Sequence, residues 1–229
     1  MKECKSLCNL QTCLLCRLSL NEWIPAINAS RKNLKFNRGE IIFSEGTEVT
    51  GIYFVYNGTV KVHKRWDKDK DLIVRFARKG DIVGHRGLGK DNLYPVSATA
   101  IDSTEVCFVD INFFLSSLKV NHDFLFQLMM FYAAELKESE RNMRNLAHMN
   151  VKGRIAQALL TLQEKFGTDQ EGYINIILSR QDLASFAGTS YETFFRLMNE
   201  FVEEKAISIS GKKIAIINSA TLNGLTNIL

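Results

Sequence analysis

The sequence predicts an α+β fold made of three successive parts. Short apolar runs separated by glycines extend from about residue 34 to residue 109, and many short strands with turn signals indicate a β-sandwich or barrel. A stretch from about residue 121 to residue 150 then carries apolar residues at seven-residue spacing, which is typical of a coiled-coil helix. Two short helical patterns and a pair of strand-like runs follow near the C-terminus, and these indicate a second, smaller domain.

Length and composition are those of a globular protein. The chain has 229 residues, of which 46% are hydrophobic and 24% are charged, enough for two ordinary domains. Its net charge of +4 is only mildly basic, and from residue 150 onward there are eight basic and eight acidic residues, so bulk charge does not indicate a nucleic-acid partner. Because no apolar run reaches membrane-spanning length and the N-terminus lacks a signal-peptide core, we expect a cytoplasmic protein without a membrane partner.

The first segment, residues 1–19, is rich in cysteine. It holds four of the five cysteines of the chain: Cys4, Cys8, Cys13 and Cys16. A cytosol keeps thiols reduced, so this density favours metal or redox chemistry over disulfides, and four thiolates suit an iron–sulfur cluster or zinc. The alternatives are a thiol switch, or a tail without function and Cys107 as a small core residue.

Residues 20–120 are predicted to be a β-rich domain that begins with a short helix at residues 20–29. Seven strand-like runs follow it: 40–43, 51–56, 59–63, 72–76, 82–83, 96–100 and 106–109. Glycines at positions 39, 46, 58 and 80 lie at turns between the runs. The charged run at residues 66–71 is predicted to be a solvated hairpin tip.

A long dimerisation helix is predicted over residues 121–149. Its apolar residues form two neighbouring rows with a seven-residue period: Leu125, Met129, Tyr132, Leu136, Met143 and Leu146. A two-row stripe with this period predicts a seam between two helices, and therefore a homodimer. The alternative is a helix packed on its own β-domain.

Residues 150–229 are predicted to form a winged helix-turn-helix domain, which begins with a helix at residues 151–166. Ser179 caps a short helix, Gly188 breaks it, and Thr189 or Ser190 starts a second helix. The inward face of this second helix is predicted to consist of Phe194, Leu197, Met198 and Phe201. Such a pair of helices is the plan of a DNA-reading helix-turn-helix.

The flanks of the two helices favour DNA binding over an ordinary helical hairpin. Residues 172–178 are predicted to be a strand, and residues 206–210 and 214–217 to be a hairpin around the basic tip Gly211-Lys212-Lys213, which makes a wing. The side chains expected to contact DNA are Arg180, Thr189, Ser190, Tyr191, Glu192, Thr193, Arg196, Lys212 and Lys213. The competing hypothesis is a winged helix used for protein contacts. We find no nucleophile–histidine–acid motif, P-loop or dinucleotide-binding glycine pattern, so an enzyme is not expected.

Several phrases resemble the CRP/FNR family of bacterial transcription regulators. LSRQDLASFAGTSYETFFRLMNEFVEEKAISISGKKIAII is similar to the DNA-binding domain of that family, and RGEIIFSEGTE, IYFVYNGTVKV and KGDIVG are similar to its sensor domain, a β-roll of the cyclic-nucleotide-binding, jelly-roll type. The resemblance implies a homodimer, a palindromic DNA operator, RNA polymerase as a partner and allosteric control. It also implies that Glu192 and Arg196 contact base edges. Tyr191 stands where Arg is common in CRP-like members, and Phe195 stands where a small residue is usual.

The resemblance also identifies an effector pocket around Gly84, His85, Arg86 and Tyr94. Cyclic-nucleotide-binding members carry a Glu and an Arg here, for the ribose and the phosphate, and this chain has neither, so cyclic AMP is not expected. His85 suggests a haem ligand as an alternative, although a lone loop histidine is more often solvated or hydrogen-bonded.

The phrase around Cys107 resembles the segment where the oxygen sensor FNR places its one distant cluster ligand. The Leu-Asn-Glu phrase at residues 20–22 also matches FNR, whereas the spacings within the N-terminal cysteine strip differ from it. The resemblance therefore implies an iron–sulfur cluster on Cys107 and strip cysteines, with haem- or ligand-sensing as alternatives.

Overall fold

The computed structural model describes residues 2–3, 13–67 and 70–226. Cys4, Cys8 and the middle of the charged run at residues 66–71 lie outside the described residues. Contacts divide the chain into two compact units, Met1–Glu135 and Leu136–Leu229, which are described separately below. Across the part of the chain that is described, no helix combines the length and the apolar character needed to cross a bilayer.

The first unit is a two-sheet β-roll with helices packed on one side. Its strands are β1 (Lys2–Glu3), β2 (Arg31–Phe36), β3 (Ile41–Phe43), β4 (Gly51–Asn57), β5 (Val60–Asp67), β6 (Lys70–Ala77), β7 (Ile82–Val83), β8 (Ser97–Ala100) and β9 (Thr104–Asp110). One sheet has the order β1-β2-β9-β4-β7 and the other the order β3-β8-β5-β6, and all pairs are antiparallel. The predicted β-roll is thereby confirmed.

Strand β4 explains how the two layers of the core are organised. Successive side chains of a strand point to opposite faces, so Tyr53 and Val55 enter the core between the two sheets, whereas Ile52 and Phe54 enter a second core on the outer face. The apolar run of this strand is continuous because both of its faces are buried.

The outer core joins the five-stranded sheet to a layer of helices. These are α1 (Leu14–Leu18), α2 (Ile24–Ser30), α3 (Ile111–Val120) and the start of α4 (His122–His148), with a 3₁₀ turn at Asn21–Trp23. Cys107, Phe124 and Leu128 are buried together in this outer core. The beginning of the long helix is therefore packed in the same cluster as a cysteine of the sheet.

The second unit contains the end of α4 and a small helical domain with a hairpin. Its elements are α5 (Val151–Phe166), α6 (Arg180–Phe186), α7 (Tyr191–Glu203), β10 (Ile207–Ser210), β11 (Lys213–Ile216) and α8 (Ser219–Thr226). The predicted long helix, helix-turn-helix and wing are all present, so the predicted fold class is confirmed.

Some predicted elements were wrong or were missed. Residues 172–178 do not form a strand: Gly172 turns the backbone at φ +85°, and only a single bridge joins Thr168 to Ile174. The strand β2 was missed because its charged residues hide two buried ones, Leu34 and Phe36. Helix α3, which Asp110 caps by accepting two backbone N–H bonds, was also missed, as was α8.

Candidate nucleic-acid interface and sensor residues

Helices α6 and α7 each begin at a capping serine, and a tight turn joins them. Ser179 accepts a hydrogen bond from the backbone N–H of Asp182 at 3.0 Å, and Ser190 accepts one from Thr193 at 3.2 Å. These caps satisfy N–H groups that the first turn of a helix leaves without partners. Between the two helices, Gly188 adopts φ +63°, which an L-residue rarely tolerates.

Gly188 also packs closely against the long helix. A Cβ atom built there would lie 2.5 Å from the Cδ2 atom of Leu146 on the last turns of α4. The leucine methyl can turn aside, so the preference for glycine at this position comes from the positive φ of the backbone. The turn of the helix-turn-helix is fitted against the end of the long helix.

Arg154 of α5 fastens this turn with all three of its guanidinium nitrogens. Nε donates to the carbonyl of Ala187 at 3.1 Å, Nη2 to the carbonyl of Gly188 at 3.1 Å, and Nη1 to the carbonyl of Met149 at 2.8 Å. The first two carbonyls end α6, and the third follows α4. Burial lowers the pKa of Arg154 from its ordinary, very high value. We did not predict this role from the sequence, although a cation in the first turn of a helix opposes the helix dipole and so signals a specific partner.

Helix α7 has one buried face and one exposed face, as predicted. The buried face consists of Phe194, Leu197, Met198 and Phe201, all at most 5% exposed. The exposed face carries Tyr191, Glu192, Phe195 and Arg196. Arg196 donates to the carboxylate of Glu200 one turn later, so its guanidinium is held along the helix surface.

The wing is a β-hairpin with an exposed two-residue turn, Gly211-Lys212. Arg180, which is half-buried, donates to the carbonyl of Gly211 at 3.0 Å and so connects the start of α6 to this turn. Lys212 is exposed. Arg180 was predicted only as a DNA contact, and the structure adds that it supports the wing.

Lys213 is engaged within the domain. Its ammonium lies 3.1 Å from a carboxylate oxygen of Asp169 and 3.2 Å from one of Glu171, in the loop after α5. These hydrogen bonds raise the pKa of Lys213. The tip of the wing is therefore Gly211-Lys212 rather than the predicted three residues, because Lys213 already belongs to β11.

The predicted effector pocket is filled by an aromatic side chain. Tyr94 is 2% exposed, its ring stacks on Phe43 with 4.2 Å between centroids, and its hydroxyl donates to the carbonyl of Gly51 at 2.7 Å. Gly84 lies against the same ring, since a Cβ atom built on it would be 3.3 Å from Tyr94. Tyr94 is thus a packed core residue and not a pocket wall.

His85 is buried, in contrast to the solvated or hydrogen-bonded histidine we expected. It is 2% exposed, and its ring meets Phe131 and Tyr132 edge-on, with centroids 5.1 and 5.4 Å away. Neither ring nitrogen has a hydrogen-bond partner within the described residues, and the nearest carboxylate oxygen, of Glu135, lies 3.8 Å from Nε2. Burial therefore lowers the pKa of His85, and the nearby guanidinium of Arg75 adds to this effect.

Glu135 of α4 is the centre of a charged cluster at the edge of the β-roll. Its carboxylate accepts from Arg75 at 3.0 Å and from Arg86 at 2.8 Å. Burial alone would raise the pKa of Glu135, but His85 and the two guanidinium groups hold it well below its usual range. Arg86, which was predicted to belong to the effector pocket, is therefore already paired with Glu135. The signal we missed was a carboxylate within the apolar half of the long helix.

The predicted dimer stripe is exposed except at one residue. Its exposed members are Leu125, Met129, Leu136, Met143 and Leu146, which are 43–68% accessible. Tyr132 differs, because it is half-buried and its hydroxyl donates to the carbonyl of His85, so it is packed on its own β-roll. Phe126 and Met130, which we did not predict, are also about half exposed.

The described cysteines do not gather into a metal site. Cys13, Cys16 and Cys107 are all buried in the outer core. Among the described residues, however, no three side chains of the Cys, His, Asp or Glu types lie close enough together to share a metal ion. Cys4 and Cys8 fall outside the described residues.

Comparisons with known proteins agree with this architecture. Residues 33–121 match the family described as the cyclic nucleotide-binding domain, and residues 153–225 match the Crp-like helix-turn-helix domain. The chain is 29% identical to the Anaerobic regulatory protein of Bacillus subtilis over 200 residues, which cover 85% of this chain and 83% of the relative. It is 24% identical to the Fumarate and nitrate reduction regulatory protein of Vibrio cholerae, with 99% and 91% of the two chains covered.

The solved structure of FixK2 from Bradyrhizobium japonicum has the same fold. It superposes with a TM-score of 0.77 at 22% identity, covering 87% of this chain and 98% of the other.

Proposed function

This chain belongs to the CRP/FNR family of DNA-binding transcription regulators, and we propose that it acts as a homodimer that reads a palindromic operator with α7. A member of this family is a regulator and not an enzyme. The observation that carries the proposal is the exposed face of α7, where polar and aromatic side chains follow a glycine turn next to a basic wing. Its partners are double-stranded DNA and RNA polymerase, and its location is the cytoplasm.

In this proposal Arg196 reads a guanine in the major groove. A guanidinium group matches the O6 and N7 acceptors of guanine with two parallel hydrogen bonds, and such a pair contributes about 1–3 kcal/mol of base discrimination. Glu192, one turn earlier on the same face, is placed to accept from a base amino group. In the free protein, the carboxylate of Glu200 holds the Arg196 side chain along the helix. When DNA binds, Arg196 gives up this hydrogen bond and donates to the base instead.

The residues around Arg196 fix the position of the helix on the duplex. Ser190, Thr189 and Thr193 surround the N-terminus of α7, where N–H groups and the helix dipole favour a phosphate. Lys212 on the wing and Arg180 behind it add positive charge. These contacts carry affinity and salt dependence rather than sequence preference.

Selection of bound duplexes from a randomised library tests this proposal. The wild-type protein is expected to select two half-sites about 10 bp apart, each with a guanine, and Arg196→Ala is expected to lose that guanine preference. Glu200→Gln is the matched control, because it removes the partner of Arg196 without removing its guanidinium. Equal guanine selectivity in wild type and Arg196→Ala would refute the assignment of Arg196.

We infer that α4 is the dimer interface. Its exposed apolar residues Leu125, Met129, Leu136, Met143 and Leu146 form a stripe that a second copy of the same helix would cover. At 100° per residue, Phe126 and Met130 fall on a different face of the helix and are not part of this stripe. Tyr132 is left out, since it is engaged with the β-roll.

We infer further that the signal acts on the β-roll and is transmitted through the start of α4. Helix α4 is tied to the roll by Glu135 and Tyr132, so a change at Arg75, Arg86 or His85 alters how its first half is held. Cyclic AMP is not proposed as the signal, because the side chains that would bind its phosphate and ribose are missing and Tyr94 fills the interior.

A second candidate function is redox sensing by the cysteines. It is supported by one observation: Cys13, Cys16 and Cys107 share the outer core with Phe124 and Leu128 of α4. Oxidation of a thiol there would add polar atoms to an apolar cluster and weaken the anchoring of the helix.

The redox candidate is tested by comparing DNA affinity before and after treatment with hydrogen peroxide. Wild-type protein is expected to change its affinity, and Cys107→Ala is expected to change it less. Measurement of iron and acid-labile sulfide in protein purified without oxygen separates a cluster from a thiol switch. An affinity that peroxide leaves unaltered, in protein that contains no iron, would eliminate redox sensing.

A further inference from the structure

An aromatic pair lies on the exposed face of α7. Tyr191 is 42% exposed and Phe195 is 51% exposed, one helical turn apart. Their rings are nearly parallel, with 6.3 Å between centroids and 21° between planes. Two large side chains are therefore held together in solvent, next to Glu192 and Arg196.

The pair does not belong to the core of the domain. The buried side of α7 is already complete with Phe194, Leu197, Met198 and Phe201. Leaving a phenylalanine half in water forfeits much of the free energy that its burial would supply. Its place beside the predicted base-reading residues indicates that the ring is covered when DNA is bound.

We propose that Phe195 reads the C5-methyl group of a thymine in the major groove, and that Tyr191 holds the phenyl ring in position. This inference rests on the proposed function, since it assigns a further role to the same helix. Phe195 precedes Arg196 by one residue, so the apolar contact and the guanine contact fall within one half-site.

Thymine is the base that suits a phenyl ring at this position. In the major groove, adenine, guanine and cytosine present hydrogen-bond donors and acceptors, which a phenyl ring cannot satisfy, whereas thymine also presents a methyl group. Covering that methyl removes apolar surface from water on both sides of the contact. A polar base edge at the same place would be desolvated without a partner.

Replacement of thymine by deoxyuridine tests the contact, because it removes the methyl group alone and leaves base pairing intact. A duplex selected by the wild-type protein is synthesised with each thymine of the half-site replaced in turn, symmetrically in both half-sites. Loss of one buried methyl corresponds to about fourfold in affinity per half-site, so one position is expected to weaken binding about sixteenfold. The other positions are expected to have little effect.

Variants of Phe195 identify the side chain responsible. Phe195→Ser is expected to bind the thymine and the deoxyuridine duplexes equally well, and Phe195→Leu, which keeps an apolar contact, is expected to retain part of the difference. Because position 195 is exposed, both variants keep the core of the domain. Val202→Ser is the matched control, since Val202 is 41% exposed on the same helix two turns further on, and it is expected to keep the full deoxyuridine effect.

The outcomes separate this inference from the proposed function. If wild-type protein selects a duplex but no deoxyuridine substitution weakens binding, the thymine contact is refuted and DNA reading by α7 stands. A deoxyuridine effect of the same size in Phe195→Ser would assign the methyl contact to another side chain and also refute the inference. If the wild-type protein selects no duplex, the proposed function and this inference both fail.

Discussion

Replacement of Arg154 by methionine removes the clamp on the helix-turn-helix while keeping a side chain of similar length. Three hydrogen bonds are lost, to the carbonyls of Met149, Ala187 and Gly188. A hydrogen bond to a charged group contributes about 1.5–3 kcal/mol to stability. Because Arg154 is only half-buried and the carbonyls can regain water, we assign about 1 kcal/mol to each of the three bonds. We therefore expect Arg154→Met to lose about 3 kcal/mol in the free energy of unfolding of residues 136–229.

The melting temperature, from calorimetry, and the DNA affinity can be measured on the same preparation of the full chain. A unit of this size shifts its melting temperature by roughly 4–8 °C per kcal/mol, so the transition of the second unit is expected to fall by at least about 10 °C. DNA affinity is expected to fall as well, because the turn that aims α7 is released. Arg154→Lys keeps the charge but not the three-pronged geometry, and is expected to behave like the methionine variant.

The control for this experiment is Lys165→Met, which removes a cation from the last turn of the same helix and is expected to cost less than about 1 kcal/mol. An Arg154→Met protein that melted within about 2 °C of wild type, with unaltered DNA affinity, would refute the clamp.

Three further predictions concern the first unit and the long helix. Leu136→Glu is expected to give monomers with weak operator binding, because a charge in the seam would be desolvated without a partner; a dimer mass in light scattering would contradict the proposed interface. The free energy of unfolding is expected to fall as pH drops from about 6.5 towards 5. Burial lowers the pKa of His85, which lies near Arg75, Arg86 and Glu135. The histidine therefore stays neutral in the folded protein, whereas in the unfolded chain it takes up a proton. Urea unfolding of His85→Phe should show a smaller loss over that range, and an unchanged pH dependence would exclude His85 as its source. Calorimetric titration with cyclic AMP is expected to give no saturable heat, and micromolar binding would show that the interior opens around Tyr94.

The local sequence was sufficient to predict the helix-turn-helix. Caps such as Ser179 and Ser190, a glycine that needs positive φ and the spacing of Phe194 and Phe201 are all determined within a few residues, and each is present in the structure. The β-roll was predicted from its short apolar runs and from the resemblance to a known family, whereas the order of its strands was not predicted. Strand β2, at residues 31–36, was not predicted, because only Leu34 and Phe36 are buried and the other four residues are polar or charged.

Interactions between distant parts of the chain could not be predicted in this way. Arg154 contacts carbonyls more than 30 residues away, and Tyr94 bonds to Gly51 across the β-roll, 43 residues apart. Lys213 was assigned to DNA because it lies next to a turn, yet its carboxylate partner Asp169 is 44 residues upstream. Such pairings depend on the fold as a whole, and a local motif gives no information about them.

The engagement of Lys213 by Asp169 and Glu171 has a consequence for how this regulator would search a chromosome. Binding to random DNA is almost entirely electrostatic and scales with the number of phosphates that free cations can neutralise. From residue 150 onward the chain has equal numbers of acidic and basic residues, and the wing residue Lys213 is paired with two carboxylates. Few cations of this domain are therefore free to neutralise DNA phosphates. It would slide over non-target sequence for short distances and dissociate readily, so occupancy of its operators would depend on base contacts more than on the ionic strength of the cell.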